Sequence, residues 1–268
     1  MGEVEQLKKN ILESILTKNE VALKEVITKI DYSSSNNNVG TLFYTSFFEN
    51  LGNKNSDIDI YIFLSSEEEL GKKGLRKYSE CLGVDVIRVG ELELDIEYWT
   101  VASVEKILKK LVDSNGLSGN YSDLKILLRI FHGYFLESNE VSSYIMGLLE
   151  SHDIIKLVKN RIAIEARSLF DEAVKMYEVN EKILSLDCAR RCLWECASYM
   201  NAHYGKPNLK QKWISKIFID NKAFGNSDLL DDYINLQIFS NITKENLDNT
   251  LLDMFTLIQS MLNVDLFD

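Results

Sequence analysis

This chain has few of the residues that staple, punctuate or coordinate. It carries one proline, Pro207, in the break Gly205-Lys206-Pro207-Asn208, where a turn is needed between two helical runs. Its three histidines, His132, His152 and His203, are scattered without metal-ligand spacing and read as structural. Its four cysteines are Cys81, Cys188, Cys192 and Cys196, and the last three recur every four residues along one helix face. Tetrahedral zinc sites draw on turns as well as helices, so these thiols read as small buried hydrophobes at a helix–helix interface. Nothing suggests a disulfide framework, which points to a reducing compartment. No apolar run approaches the roughly 20 residues of a membrane span. The first residues, with Glu3, Glu5, Lys8 and Lys9, do not read as a signal peptide, so the expected location is cytoplasmic. Positive charge is also in deficit: 30 Lys and Arg against 41 Asp and Glu leave a net charge of −11. A broad nucleic-acid footprint needs a basic face, so a nucleic-acid partner is disfavoured.

What the chain does have is core-forming capacity. At 268 residues and 46% hydrophobic it can bury substantial cores in one or two domains. The most informative stretch is Ser56-Asp57-Ile58-Asp59-Ile60-Tyr61-Ile62-Phe63. Two carboxylates one residue apart head a β-branched and aromatic run that reads as a buried strand. Residues i and i+2 of a strand share a face, so Asp57 and Asp59 are expected side by side. Like charges held together are costly unless a cation lies between them. A hard oxygen-seeking ion such as Mg²⁺ fits, needing few protein carboxylates when phosphates complete its shell. A solvated strand end with two surface acids is the competing reading.

Upstream lies Val39-Gly40-Thr41-Leu42-Phe43-Tyr44-Thr45-Ser46, then a short segment and the turn-rich loop Gly52-Asn53-Lys54-Asn55. Downstream, after an expected helix over 66–82 and a strand near 84–88, comes Glu91-Leu92-Glu93-Leu94-Asp95-Ile96-Glu97-Tyr98-Trp99. Its strict alternation puts Glu93, Asp95 and Glu97 on one face. Glu91 and Glu93 read as solvated surface acids.

Residues 36–100 resemble the signature of the nucleotidyltransferase superfamily that includes DNA polymerase β. In layout the chain is similar to the aminoglycoside- and lincosamide-type nucleotidyltransferases. Their signature is a strand, a Gly-Ser pair, about ten residues, and an acid-hydrophobic-acid strand. Here Thr45-Ser46 stands in the Gly-Ser place, so one glycine is missing, while Ser56-Asp57-Ile58-Asp59 is complete. The resemblance implies that Asp57, Asp59 and a third carboxylate are catalytic and hold metal, two Mg²⁺ ions acting on an NTP such as ATP. Leu94-Asp95-Ile96 fits the third position, with Glu97 the alternative. It also implies nucleotide-binding roles for Thr45, Ser46 and Ser56.

The architecture reads as α+β. A small mixed-sheet catalytic domain with flanking helices spans residues 1–113, and an all-α helical bundle follows at 114–268. Helical periodicity covers 3–30 and 102–112, then 121–136, 140–149, 152–178, 181–204, 208–219, 227–239 and 244–263. Ser33-Ser34-Ser35-Asn36-Asn37-Asn38 reads as a loop. The resemblance implies that the bundle supplies a lysine to the triphosphate. The candidates are Lys212 and Lys210, after the Pro207 turn. The expected activity is transfer of a nucleoside monophosphate, AMP from ATP, to a hydroxyl of a small-molecule acceptor with release of pyrophosphate. Alternatives are a catalytically idle binding or antitoxin-like partner, and an enzyme that modifies protein or tRNA. The sequence leaves the oligomeric state open.

Overall fold

The computed structural model describes residues 2–34, 38–53, 56–67 and 76–263. Its contacts divide the chain into two compact units. The first comprises Met1–Asp113 and Gly119–Asp153, and the second comprises Ser114–Ser118 and Ile154–Asp268.

The first unit runs α1 (Glu3–Lys18), α2 (Leu23–Ser34), β1 (Asn38–Tyr44), a 3-10 turn (Ser46–Glu49) and β2 (Asp59–Leu64). It continues through β3 (Arg76–Tyr78), β4 (Cys81–Val89), β5 (Leu92–Thr100), α3 (Val101–Asp113), α4 (Tyr121–His132), β6 (Tyr134–Phe135) and α5 (Glu140–Ser151). The six strands form one mixed sheet in the order β3-β4-β5-β2-β1-β6. β2 and β5 are parallel; the other pairs are antiparallel.

Strand alternation decides which side chains meet which helices. Phe43, Ile60, Ile62, Leu64, Leu94 and Ile96 share a core with Leu12 and Leu16 of α1 and Val26 and Ile30 of α2. Each such side chain, fully buried, stabilises the fold by about 1.5–3 kcal/mol. The alternate positions, Tyr44, Asp59, Tyr61, Asp95, Glu97 and Trp99, occupy the other face. There α4 contributes Arg129. Every residue of β2 is buried, as expected of a central strand covered on both faces.

α4 starts at Asn120, whose side chain accepts from the Asp123 N–H, a standard N-cap contact. Its C-terminal end lies close against β1. At Gly133 a Cβ would stand 2.6 Å from Leu42 Cδ2 and 2.8 Å from the Arg129 carbonyl oxygen, a space only glycine fits.

Three expectations meet a different arrangement. Within the helix expected over 66–82, Arg76–Tyr78 instead forms β3, which pairs with β4 (Arg76↔Val84, Tyr78↔Cys81) around a turn where Ser79 takes φ 47°; residues 68–75 lie outside the described residues. The helix expected to run to 136 stops at His132, because Tyr134 and Phe135 pair with Phe43 and Leu42 at the sheet edge. For the same reason the segment 119–153, assigned by sequence to the bundle, packs with the first unit, as β6 completes the sheet and α4 covers it.

The second unit contains α6 (Ile154–Glu178), α7 (Lys182–His203), α8 (Gln211–Asp220), α9 (Ser227–Tyr233) and α10 (Leu247–Leu262). A π-turn over Ile234–Ile238 follows α9, where one continuous helix was expected. Cys188, Cys192 and Cys196 lie in the core of this unit among Ala166, Leu169, Met254 and Ile258. All four thiols are buried and unbridged, and Cys192 donates to the Ala166 carbonyl at 3.1 Å. Among the described residues no helix is long and apolar enough to cross a membrane.

Candidate active site

The acids assemble because β2 and β5 run parallel in one register. Asp59 lies beside Asp95 and Tyr61 beside Glu97, so all four side chains project from one face. Asp57 sits two residues before β2, in irregular backbone rather than in the strand, and is exposed. Asp95 is exposed too. Burial by neighbouring protein raises its carboxyl pKa, and the charges of Asp59 and Asp57 raise it further. Asp95 therefore feels the charges of both Asp59 and Asp57.

The loop entering β2 is fastened to the end of β1. Ser46 Oγ donates to Ser56 Oγ at 3.1 Å, and Ser56 Oγ accepts from the Asn53 N–H at 2.9 Å. Gly52 lies against the Phe47 ring, where a Cβ would meet ring carbons at 2.3 Å, so glycine is needed for the loop to close. Thr45 is fully buried, and its Oγ1 has no hydrogen-bond partner among the described residues. Ser46 is 5% exposed. Ser46 and Ser56 are thus adjacent, ten residues apart in sequence.

Asp59 and Glu97 are enclosed, at 8% and 7% exposure. Their counter-ion is Arg129 of α4, itself only 6% exposed. Arg129 Nη1 lies 3.1 Å from Asp59 Oδ1 and 3.8 Å from Glu97 Oε1, and it donates to Tyr61 Oη. The guanidinium also stands 5.2 Å from the centre of the Tyr44 ring and 6.0 Å from that of Tyr61, in cation–π range. Burial opposes its charge, but the oxygens of Tyr61, Asp59, Glu97 and Tyr44 outweigh that and raise its pKa. Glu97 has two more donors, Tyr78 Oη and Trp99 Nε1, the latter at 3.2 Å. Burial holds the Glu97 carboxyl above the usual range, against the lowering effect of the Tyr78 hydrogen bond and Arg129. Burial also raises Tyr44, whose hydroxyl donates to Glu49.

Of the two candidates for the third carboxylate, Asp95 is exposed beside Asp59, whereas Glu97 is saturated by protein partners. Lys210 and Lys212 belong to the second unit. Lys210 is the N-cap residue of α8, its N–H donating to Asn208 Oδ1. Lys212 is exposed, with Nζ 5.0 Å from the centre of the Trp213 ring. Sequence reading missed Arg129, Tyr61, Tyr78 and Lys125. Lys125, one turn before Arg129 on α4, is exposed. Its pKa is lowered by surrounding protein and then by Arg129, against the pull of Asp59, Glu97 and Asp95. Arg129 did leave a signal: it interrupts the apolar run Leu124, Ile126, Leu127, Leu128, Ile130, and a charge in a buried stripe requires a partner.

The donor chemistry of Asp57, Asp59 and Asp95 fits a hard dication, with Asp59 at the start of β2, Asp57 two residues before it and Asp95 beside Asp59 on β5. Among the described residues no group of three or more His, Cys, Asp or Glu side chains is drawn to ligating distance of a single point. Asp59 Oδ1 is engaged by Arg129 instead.

No protein-family model matches the chain, and no curated protein matches it. Among solved structures, the crystal structure of a nucleotidyltransferase-like protein from Exiguobacterium sibiricum is similar, with a TM-score of 0.52 and 11% sequence identity. The match covers 90% of this chain and 74% of that one. The fold is therefore nucleotidyltransferase-like: a six-stranded mixed sheet with flanking helices and a helical C-terminal region.

Proposed function

We propose that the chain is a nucleotidyltransferase that moves a nucleoside monophosphate, AMP from ATP, to a hydroxyl of a small acceptor and releases pyrophosphate. The observation that carries this reading is the pairing of Asp59 with Asp95 on adjacent parallel strands, with Asp57 alongside, in a nucleotidyltransferase-like fold. Asp57, Asp59 and Asp95 would hold Mg²⁺, which supplies charge stabilisation to the phosphoryl oxygens. Asp95, beside Asp59 on the neighbouring strand, is also suited to take the proton of the acceptor hydroxyl. Ser46 and Ser56 offer hydroxyls to phosphate oxygens. Lys125 offers a cation beside the acids, and Lys212 and Lys210 are further candidates on the helical unit. Glu97, filled by Tyr78, Trp99 and Arg129, holds Arg129 in place. The acceptor proposed is a small molecule such as an antibiotic of the aminoglycoside or lincosamide kind, or a biosynthetic intermediate, and the location proposed is the cytoplasm.

A second reading is a catalytically idle nucleotidyltransferase-fold binding partner. The Arg129–Asp59 ion pair favours it, because a guanidinium already neutralises the innermost carboxylate. Incubating the protein with ATP labelled at the α-phosphate, Mg²⁺ and a panel of hydroxylated acceptors separates the two. Metal-dependent pyrophosphate release with label on a small product supports transfer. No release with any acceptor, alongside unchanged ATP, supports the idle reading.

A further inference from the structure

We propose that Arg129 is a built-in cation that holds the inner carboxylate of the acidic cluster, and that a divalent ion binds only by displacing it from Asp59. This rests on the metal-binding reading above and adds what controls it. The ion pair sits in a constructed enclosure: Arg129 is 6% exposed and contacts Asp59, Glu97 and the Tyr61 hydroxyl, with its guanidinium carbon 5.2 Å and 6.0 Å from the centres of the Tyr44 and Tyr61 rings. Here the carboxylate it holds is the one between Asp57 and Asp95, neither of which has an ion-pair partner among the described residues.

Displacement from Asp59 also leaves no stranded charge. Glu97 and the Tyr61 oxygen stay within reach of the guanidinium, and Glu97 is itself fixed by Tyr78 and Trp99. The buried Nε of Arg129 has no partner among the described residues, so the group still has an unused donor. Arginine suits this role because its planar fork addresses several acceptors at once and never loses its charge. Arg129 is thus a positioning residue: it keeps Asp59 paired and aimed while no metal is present, and it sets how strongly a metal must bind to enter.

The test measures Mn²⁺ affinity, without nucleotide, by isothermal titration and by the EPR signal of free Mn²⁺, on the full chain and three variants. Arg129→Met removes the competitor and should tighten Mn²⁺ binding at least tenfold, while lowering the melting temperature without metal; added Mn²⁺ should then raise it more than in the native chain. Lys106→Met removes an equal charge from the same unit, on a lysine paired with Glu80 rather than Asp59, and should change affinity less than threefold. Arg129→Lys keeps the charge but not the fork, and should fall between; it serves also if Arg129→Met does not fold. Equal tightening in Lys106→Met and Arg129→Met would mean a general charge effect and overturn displacement. Unchanged or weaker binding in both Arg129 variants, with the native chain binding Mn²⁺, would overturn it while leaving the metal reading intact. No Mn²⁺ binding by any of the four proteins would remove the metal reading, and this proposal with it.

Discussion

Asp57 and Asp59 look equivalent in sequence, yet their neutralisation should affect the fold in opposite ways. Asp57 is exposed, and its charge raises the pKa of Asp95. Asp57→Asn removes a repulsion and no contact, so stability should stay within about 0.5 kcal/mol of native or rise slightly. Asp59 is 8% exposed and pairs with Arg129 at 3.1 Å. Breaking a buried ion pair from one side costs about 3–5 kcal/mol when nothing replaces the partner. Asn keeps an acceptor oxygen, and Glu97 at 3.8 Å keeps a compensating charge. The expected cost of Asp59→Asn is therefore nearer the loss of one charged hydrogen bond, about 1.5–3 kcal/mol. At roughly 2–4 °C per kcal/mol for a domain of this size class, that is a fall of about 3–12 °C in melting temperature. Differential scanning calorimetry without metal reads both variants directly. Equal melting temperatures for Asp57→Asn and Asp59→Asn, both at or above native, would refute the placement of Arg129 against Asp59.

The other expectations follow from the same geometry. Asp95→Asn should abolish transfer with a stability change within about 0.5 kcal/mol, whereas Glu97→Ala should cost about 3 kcal/mol or more by exposing the unpaired donors of Tyr78, Trp99 and Arg129; urea unfolding and pyrophosphate release measured together distinguish them, and inverted results would exchange the two roles. Lys125→Ala should weaken ATP binding by about 1.5–3 kcal/mol and AMP binding by less, measured by titration calorimetry; equal losses for both nucleotides would place Lys125 away from the outer phosphates. Burial lowers the pKa of His132 from 6.5, although Glu49 pulls the other way. The unfolded chain therefore binds a proton below pH 6.5 that the folded chain does not, so stability should fall as pH drops through 6.5 and below. His132→Gln should flatten that slope in thermal melts, and an unchanged slope would exclude His132 as its source.

Much of the fold was legible because local pattern and burial agree. The period-2 runs at 59–64 and 92–100 are strands, and the long apolar periodicities at 154–178, 182–203 and 247–262 are helices. The alternation that put Asp95 and Glu97 on one face holds, since it is a property of any pleated strand. The short edge elements were not legible. Tyr134-Phe135 continues a helical pattern, and only pairing with β1 makes it a strand; Arg76–Tyr78 likewise takes its identity from β4. The missed residues share that cause. Arg129 is 70 residues from Asp59 along the chain, and no spacing rule links them until α4 packs on the sheet. The choice between Asp95 and Glu97 was undecidable from alternation alone, because their difference lies in the partners Tyr78, Trp99 and Arg129 bring to one of them.

The central claim is that the three aspartates form a metal-dependent nucleotide site. Titration calorimetry of ATP into the native protein, with Mg²⁺ and with EDTA in its place, tests it most directly, with Asp57→Asn run alongside. The expected result is saturable binding with Mg²⁺ that is lost with EDTA and reduced at least tenfold in Asp57→Asn, a residue whose change should leave the fold intact. Binding that is identical with and without metal, or no binding by the native chain under either condition, would contradict it.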